Sequence, residues 1–276
     1  MNIAEPRDAQ LRDTQQAFDS VAADYDGPRG NNLAIQDMRA EMWRWLDQTF
    51  KPGSRLLDLG CGTGLDAVHL AGLGHHVTAS DWSPAMVERT RDRAARAELG
   101  GRVEALAVGA HELARIEGEA RFDGIYSNLG PLNCVPDLDD LAAQCHRLLA
   151  PGGAMVFTVI GRYCPWEWLH YAKQARWQRA GIRFARGTVP VGMNGKTIWT
   201  RYYTPVEFCE PFKGAFEVEH TRGVCIFVPP PYLLQMRDKH PAWYERLWRL
   251  DRRVAGWPVV RQWGDHFLVV LRKRAS

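Results

Sequence analysis

Lysine is scarce in this chain, and so is anything that would cross-link it. Only 6 of its 35 basic residues are Lys, so its positive charge is almost entirely guanidinium. The six cysteines, at positions 61, 134, 145, 164, 209 and 225, form no C-x-x-C pair and no Cys/His spacing of a zinc centre. That excludes a zinc module, and no metal is expected. A disulfide framework is not expected either, because 276 residues can bury a sizeable core unaided. No stretch approaches 18 consecutive apolar residues, which excludes a membrane-crossing helix. The opening MNIAEPRDAQLRDTQQ is polar and mixed in charge and lacks the apolar segment of a secretory signal. A cytoplasmic protein with free thiols is the expectation. Internal repeats and low-complexity tracts are missing too. With 46% hydrophobic and 24% charged residues, the composition is that of a globular protein.

What the chain does have is asymmetry. The formal net charge of +3 conceals two unlike parts. Residues 1–160 carry 15 Lys and Arg against 23 Asp and Glu, whereas residues 161–276 carry 20 against 9. The same cut gathers Trp166, Trp168, Trp177, Trp199, Trp243, Trp248, Trp257 and Trp263, eight of the eleven tryptophans, into the basic part. Two different jobs are implied.

From residue 54 short apolar runs alternate with helical patterns, the signature of βαβ units around a parallel sheet. Strands are expected at 55–59, 76–80, 103–108, 122–127 and 154–160. Between them, helices are expected at 65–73, from Ser83-Pro84 to about 98, and at 138–149. Ser83 is a good N-cap, and Pro84 lacks the N–H that the first helical position leaves unpaired. Beyond residue 160 the pattern predicts an amphipathic helix over 166–179 and a hairpin over 189–203 turning at Asn194-Gly195. A capping box at Thr204–Glu207 opens a short helix. A strand over 216–228, a largely helical stretch over 232–254 broken at Pro241, and a terminal strand over 265–272 complete the reading.

The chemistry centres on LLDLGCGTG, residues 56–64. An apolar strand runs into Gly60, Gly62 and Gly64 and then into a helix, and glycines let the chain turn sharply and let a ligand come close. Asp81 ends the next strand, where a carboxylate can accept hydrogen bonds from both ribose hydroxyls of an adenosine cofactor. A dinucleotide site would read G-x-G-x-x-G, so that a pyrophosphate rests on the helix N-terminus. Here the spacing is G-x-G-x-G, and Asp58 stands just before the turn. That carboxylate repels a pyrophosphate but suits a ligand bearing an ammonium and a sulfonium.

LLDLGCGTG followed by VTASDWSPAMV (77–87) resembles motif I and the following acid of class I S-adenosylmethionine-dependent methyltransferases. AFDSVAADYD (17–26), FDGIYSNLGPLNCVPDL (122–138) and RLLAPGG (147–153) are similar to segments of the quinone-biosynthesis type within that class. The resemblance covers about residues 15–160. It implies an α/β, Rossmann-like seven-stranded sheet of order 3-2-1-4-5-7-6, with strand seven antiparallel and helical and hairpin lid insertions. Three regions follow: an N-terminal helical arm (1–50), a cofactor-binding core (51–160), and lid insertions with the last two strands (161–276).

Carried over by position, the resemblance places Gly60, Gly62 and Gly64 under the methionine and ribose of the cofactor. It places Asp58 near the ammonium, Asp81 on the ribose and Trp82 against the adenine. Ser127 and Asn128 come near the sulfonium, and Tyr25 closes over the cofactor. The family usually has Gly-Asp-Ala after strand three; here the chain reads Val108-Gly109-Ala110-His111, so the adenine contact falls to Ala110 and His111. The additions should gather where a small-molecule acceptor binds, beyond the carboxyl ends of the parallel strands. Trp166, Arg201 and Tyr203 are the candidates for an aromatic or acidic acceptor, with His170 and His266 for any acid–base step. His69 and His146 read as structural, and Arg249, Arg252 and Arg253 as a solvated helix face. No [N/D]-P-P-[Y/F] motif follows strand four and no nucleic-acid module is recognisable, so nucleic acid is not the expected partner. The alternatives are a macromolecular acceptor or a non-catalytic protein that binds the cofactor and uses its basic aromatic half for a partner.

Overall fold

The computed structural model describes residues 7–28, 30–233, 237 and 239–274. Two helices lead, α1 (Arg7–Val21) and α2 (Leu33–Thr49). The alternating part follows as β1 (Arg55–Leu59), α3 (Leu65–Gly72), β2 (His76–Asp81), α4 (Pro84–Arg96), β3 (Val103–Ala107), β4 (Phe122–Ser127), α5 (Leu138–Leu148) and β5 (Leu149–Ile160). Next come α6 (Pro165–Lys173), α7 (Trp177–Ala180), β6 (Val189–Met193), β7 (Lys196–Thr200), α8 (Pro205–Cys209), β8 (Phe216–Val224), α9 (Pro241–Val254) and β9 (His266–Lys273).

Seven strands form one sheet in the order β3-β2-β1-β4-β5-β9-β8, while β6 and β7 stand apart as a hairpin. β1 to β5 run parallel, and β9 is antiparallel to both of its neighbours. This is the expected order, with the hairpin inserted in the chain ahead of the last two sheet strands. Period-two side-chain alternation supplies two apolar faces. Leu57, Leu59, Ile125, Met155, Phe157 and Val269 face α5 and the Phe208–Phe212 turn. Leu56, Val77, Ala79, Tyr126, Val156 and Val270 face α2, α3 and Trp248. α2 meets that layer through Ala34, Met38, Met42 and Leu46, spaced four apart, one stripe of a helix.

Several boundaries differ from the sequence expectation, each for a local reason. The helix expected over 166–179 stops at Lys173 because Ala175 takes φ 54°. The Arg176 N–H then closes back on Tyr171 O at 3.0 Å, a helix stop normally signalled by glycine. β8 ends at Val224 rather than 228. There the amides of Ile226 and Phe227 turn onto the buried Asp251 carboxylate, at 2.9 and 2.7 Å. Burial nonetheless pushes the Asp251 carboxyl up to about 6, against those hydrogen bonds. Pro241 opens α9 at its first position, and residues 237 and 239 before it are also helical, so the helical stretch is interrupted at His240 as expected. Of the preceding stretch, residues 234–236 and 238 lie outside the described residues. The Pro151-Gly152-Gly153 turn is a bulge in β5: Phe122 pairs with Leu149, then Gly124 pairs with Ala154.

Candidate functional site

The turn from β1 into α3 is built by three glycines at φ +76°, +55° and +78°, values that a Cβ disfavours. Their neighbours differ. A Cβ on Gly60 would lie 2.3 Å from Pro131 Cβ, and one on Gly64 would lie 2.8 Å from Thr90. A Cβ on Gly62 would meet only Tyr25, at 3.8 Å. Gly60 and Gly64 thus serve close packing, whereas Gly62 leaves its space to a cavity.

That cavity encloses about 1320 Å³ of empty space, its open mouth included. At one end Asp81 takes hydrogen bonds from Gly62 N–H and Ser83 N–H, both at 2.8 Å. Burial pushes its carboxyl up to about 6, although the amides of Ser83 and Gly62 pull the other way. Trp82 forms the adjoining wall, and His111 meets its ring edge-on at 4.3 Å between centroids. His111 Nε2 is buried without a hydrogen-bond partner, and burial lowers the His111 pKa. Ala110 completes this end.

Deeper in, Arg39 of α2 reaches Asp66 of α3 at 2.5 Å. Asp66 also accepts from Trp43 Nε1 at 2.6 Å and from Asn128 Nδ2 at 3.1 Å. Arg39, Asp66, Asn128 and Tyr25 all line the cavity. Asp58 sits behind the turn, 1% exposed, and its Oδ2 lacks a partner, as does Arg39 Nε. Burial and the nearby Asp66 charge push the Asp58 carboxyl well up. Ser127 is buried and donates to Leu59 O at 2.6 Å, tying β4 to β1 behind the cavity.

The roof is α1 together with the hairpin. Leu11, Thr14, Gln15 and Phe18 of α1 face inward, one stripe of a helix. Trp199 joins the two roof elements, donating from its backbone to Thr14 Oγ1 and from its indole to Asp13, both at 3.0 Å. Gln15 donates to Trp82 O at 2.9 Å, which fixes α1 to the Asp81 end.

Tyr25, Gly60, Gly62, Asp81, Trp82, Ala110, His111 and Asn128 therefore meet around one cavity. The residues expected at an acceptor are placed elsewhere. Tyr203 is 2% exposed and packed in the core against Phe208. Arg201 lies over the Tyr203 ring, and Trp166 donates to Phe227 O at 3.2 Å on the outside. His170 pairs with Gln174 at 2.9 Å. His266 bonds Asp265 at 2.9 Å, and neither histidine lines the cavity. Val191, Ile198, Thr200 and Tyr202 line the hairpin side of the cavity instead. Along an extended stretch alternate side chains share a face, so 198, 200 and 202 look in while 199, 201 and 203 look away. Arg39 and Asp66 were also missed; their signal is a charged pair on two helices that otherwise present apolar stripes.

The fold is similar to that of the S-adenosylmethionine dependent methyltransferase from Mesorhizobium loti, with a TM-score of 0.56 and 19% identity, covering 88% of this chain and 99% of that one. Residues 56–153 match the family model described as a methyltransferase domain. It is 33% identical over 147 residues to a ubiquinone biosynthesis O-methyltransferase of Alkalilimnicola ehrlichii, covering 52% of this chain and 58% of that one. A protein of the same name from Xanthomonas axonopodis pv. citri is 33% identical over 155 residues, covering 54% and 62%. The chain thus spans about three-fifths of the length of these curated relatives. Among solved structures, it is similar to the Burkholderia thailandensis 1,6-didemethyltoxoflavin-N1-methyltransferase with bound 1,6-didemethyltoxoflavin and S-adenosylhomocysteine. That match has a TM-score of 0.60 and 21% identity, covering 100% of this chain and 93% of the other.

The glycines give a first test. Gly60→Ala should lower stability to urea by roughly 2–5 kcal/mol, the left-handed backbone penalty of about 1–2 added to overpacking of about 1–3 against Pro131. Gly62→Ala meets no clash and should cost only about 1–2 kcal/mol, the left-handed backbone penalty. It should nevertheless weaken S-adenosylhomocysteine binding more per unit of stability lost. Equal effects of the two substitutions on stability and on binding would show that Gly62 leaves no space for a ligand.

Proposed function

We propose that the protein transfers the methyl group of S-adenosylmethionine to a small-molecule acceptor held in the same cavity. The observation that carries this is the continuity of the cavity, from the Asp81–Trp82 end, past Arg39 and Asn128, to the apolar hairpin side. The polar end suits the donor part by part. Asp81 offers a carboxylate to the ribose hydroxyls. Arg39 Nε, a donor of the cavity wall buried without a partner, suits the carboxylate of an amino acid. Trp82 offers a flat face to the adenine, and His111 Nε2, also unpartnered, offers it a hydrogen bond in place of the missing acid.

S-adenosylmethionine supplies a methyl on a positively charged sulfur; the acceptor bond forms as the carbon–sulfur bond breaks and its electron pair neutralises the sulfur. The protein's own part is to align the two molecules and to exclude water, which α1 and the hairpin do by closing over the cavity. That roof supports a small acceptor over a polymer. Calorimetry with S-adenosylhomocysteine should give one-site binding in the micromolar range or tighter, about −8 kcal/mol at 1 μM. A screen of S-adenosylmethionine consumption against phenols, quinones, amines and prenyl acids should give at least one turnover signal. Absence of cofactor binding would remove the reading altogether.

A further inference from the structure

The far end of the cavity has a chemistry of its own. Leu129, Ile160, Val191 and Ile198 wall it, contributed by the exits of β4 and β5 and by the hairpin. Thr200, Cys134 and Tyr202 bring polar groups to it. Thr200 is 5% exposed, and its Oγ1 has no nitrogen or oxygen partner and lies beside the Cys134 sulfur.

The charged side chains that do line the cavity are committed at the other end. Arg39 and Asp66 pair with each other, and Asp81 holds the amides of Gly62 and Ser83. The arginine expected to receive an acidic acceptor, Arg201, is turned onto Tyr203. A carboxylate or phosphate placed here would lose its water without gaining a counter-charge.

Building on the methyltransferase reading, we propose that this end is the acceptor subsite, that it takes an uncharged and largely apolar aromatic molecule, and that Thr200 is its orienting hydrogen-bond partner. The nucleophile must carry its lone pair without help from these walls. Burial pushes the Cys134 thiol and the Tyr202 phenol each up to about 12, so neither accepts a proton as a base near neutrality.

The test uses the full chain saturated with S-adenosylhomocysteine, titrated with 2-naphthol and with 2-naphthoate in a calorimeter. Naphthol should bind on the order of tenfold more tightly, because burying the naphthoate charge has no compensation. Thr200→Val should weaken naphthol about three- to tenfold, the loss of one hydrogen bond. Ile198→Trp should fill the subsite and abolish naphthol binding. Both variants should keep S-adenosylhomocysteine affinity within about twofold, which also reports that they fold. Equal or tighter naphthoate binding, no heat with naphthol, or naphthol binding unchanged by Ile198→Trp would each overturn the subsite. Unchanged binding in Thr200→Val would remove the role given to that hydroxyl. Failure of S-adenosylhomocysteine itself to bind would instead count against the methyltransferase reading.

Discussion

Asp81→Ala is expected to weaken S-adenosylhomocysteine binding by at least about a hundredfold, since two hydrogen bonds to a charged group are lost at about 1.5–3 kcal/mol each. The carboxylate already holds Gly62 N–H and Ser83 N–H, each at 2.8 Å, so part of the loss comes from the turn itself. Asp81→Asn separates the two contributions, because it keeps the shape and one acceptor oxygen. It should fall between wild type and alanine.

The same residue predicts opposite pH responses for affinity and stability. Burial lifts its carboxyl from the ordinary 3.8 to about 6 in the folded chain. A raised folded value means that the Asp81 contribution to stability is fully present below about 3.8 and is lost as pH rises through about 6. Ribose hydroxyls need the carboxylate form, so cofactor affinity should fall as pH drops through about 6. Between pH 7 and 5, wild type should therefore bind less tightly while Asp81 destabilises it less. The Asp81→Asn protein should show neither trend at this position. Calorimetry and urea titration across that interval decide the matter; matching pH profiles for the two proteins would sink the assignment.

The donor end was legible because its signal is local. A glycine spacing and an acid at the next strand end are fixed by the backbone geometry of one βαβ unit, and Gly60–Gly64 and Asp81 carry them within 22 residues. The sheet order was legible through the resemblance, since hydrophobic runs alone do not say that β9 inserts between β5 and β8. The far end was not, because it depends on which face of one extended stretch looks inward. A one-residue change of register exchanges every side chain between faces. That is why Arg201 and Tyr203 were expected where Thr200 and Tyr202 stand. Arg39 was hidden for another reason: its partner Asp66 is 27 residues away, and only the packing of α2 on α3 unites them.

The charge seam near residue 160 also acquires a physical meaning. Part of the basic surplus is folded back onto acids of α2, in Arg237–Asp37 at 3.2 Å and Arg252–Glu41 at 3.4 Å. Arg252 is thus partly engaged rather than one of a free solvated face. Another part is internal. Arg162, 5% exposed, clasps Glu207 and the carbonyls of Ala185 and Tyr202. These ion pairs tie the inserted segments to the rest of the fold.

Arg183→Met is accordingly expected to be the most damaging single change outside the cavity. Arg183 is 3% exposed and bonds Glu167 at 2.7 Å, Asp265 at 2.6 Å and the carbonyls of Gly161 and Asp265 at 2.9 and 3.1 Å. One guanidinium thereby ties α6 and the ends of β5 and β9 together. Removing it leaves Glu167 and Asp265 buried without that cation, a loss of about 3–5 kcal/mol in urea denaturation. In the native chain burial pushes the Asp265 carboxyl up, but Arg183 and His266 outweigh it and hold it well below the usual carboxylate range. A depressed value contributes stability above the unfolded pKa and loses it only as pH falls through the folded one, so the native cluster persists into acid. Without Arg183 the burial of Asp265 weighs more, its carboxyl rises, and the variant's deficit should shrink as pH falls through the ordinary carboxylate range. Adding Glu167→Gln and Asp265→Asn should restore most of the loss at neutral pH, because the desolvated charges are then gone. The guanidinium also lies 5.1 Å from the Tyr202 ring centroid, directly behind the acceptor wall. Arg183→Met should therefore weaken 2-naphthol binding while sparing S-adenosylhomocysteine, read at a urea-free temperature where the variant is folded. A deficit that is independent of pH, or one that the triple variant leaves unrelieved, would mean that ion pairing is not what holds the insertion to the sheet.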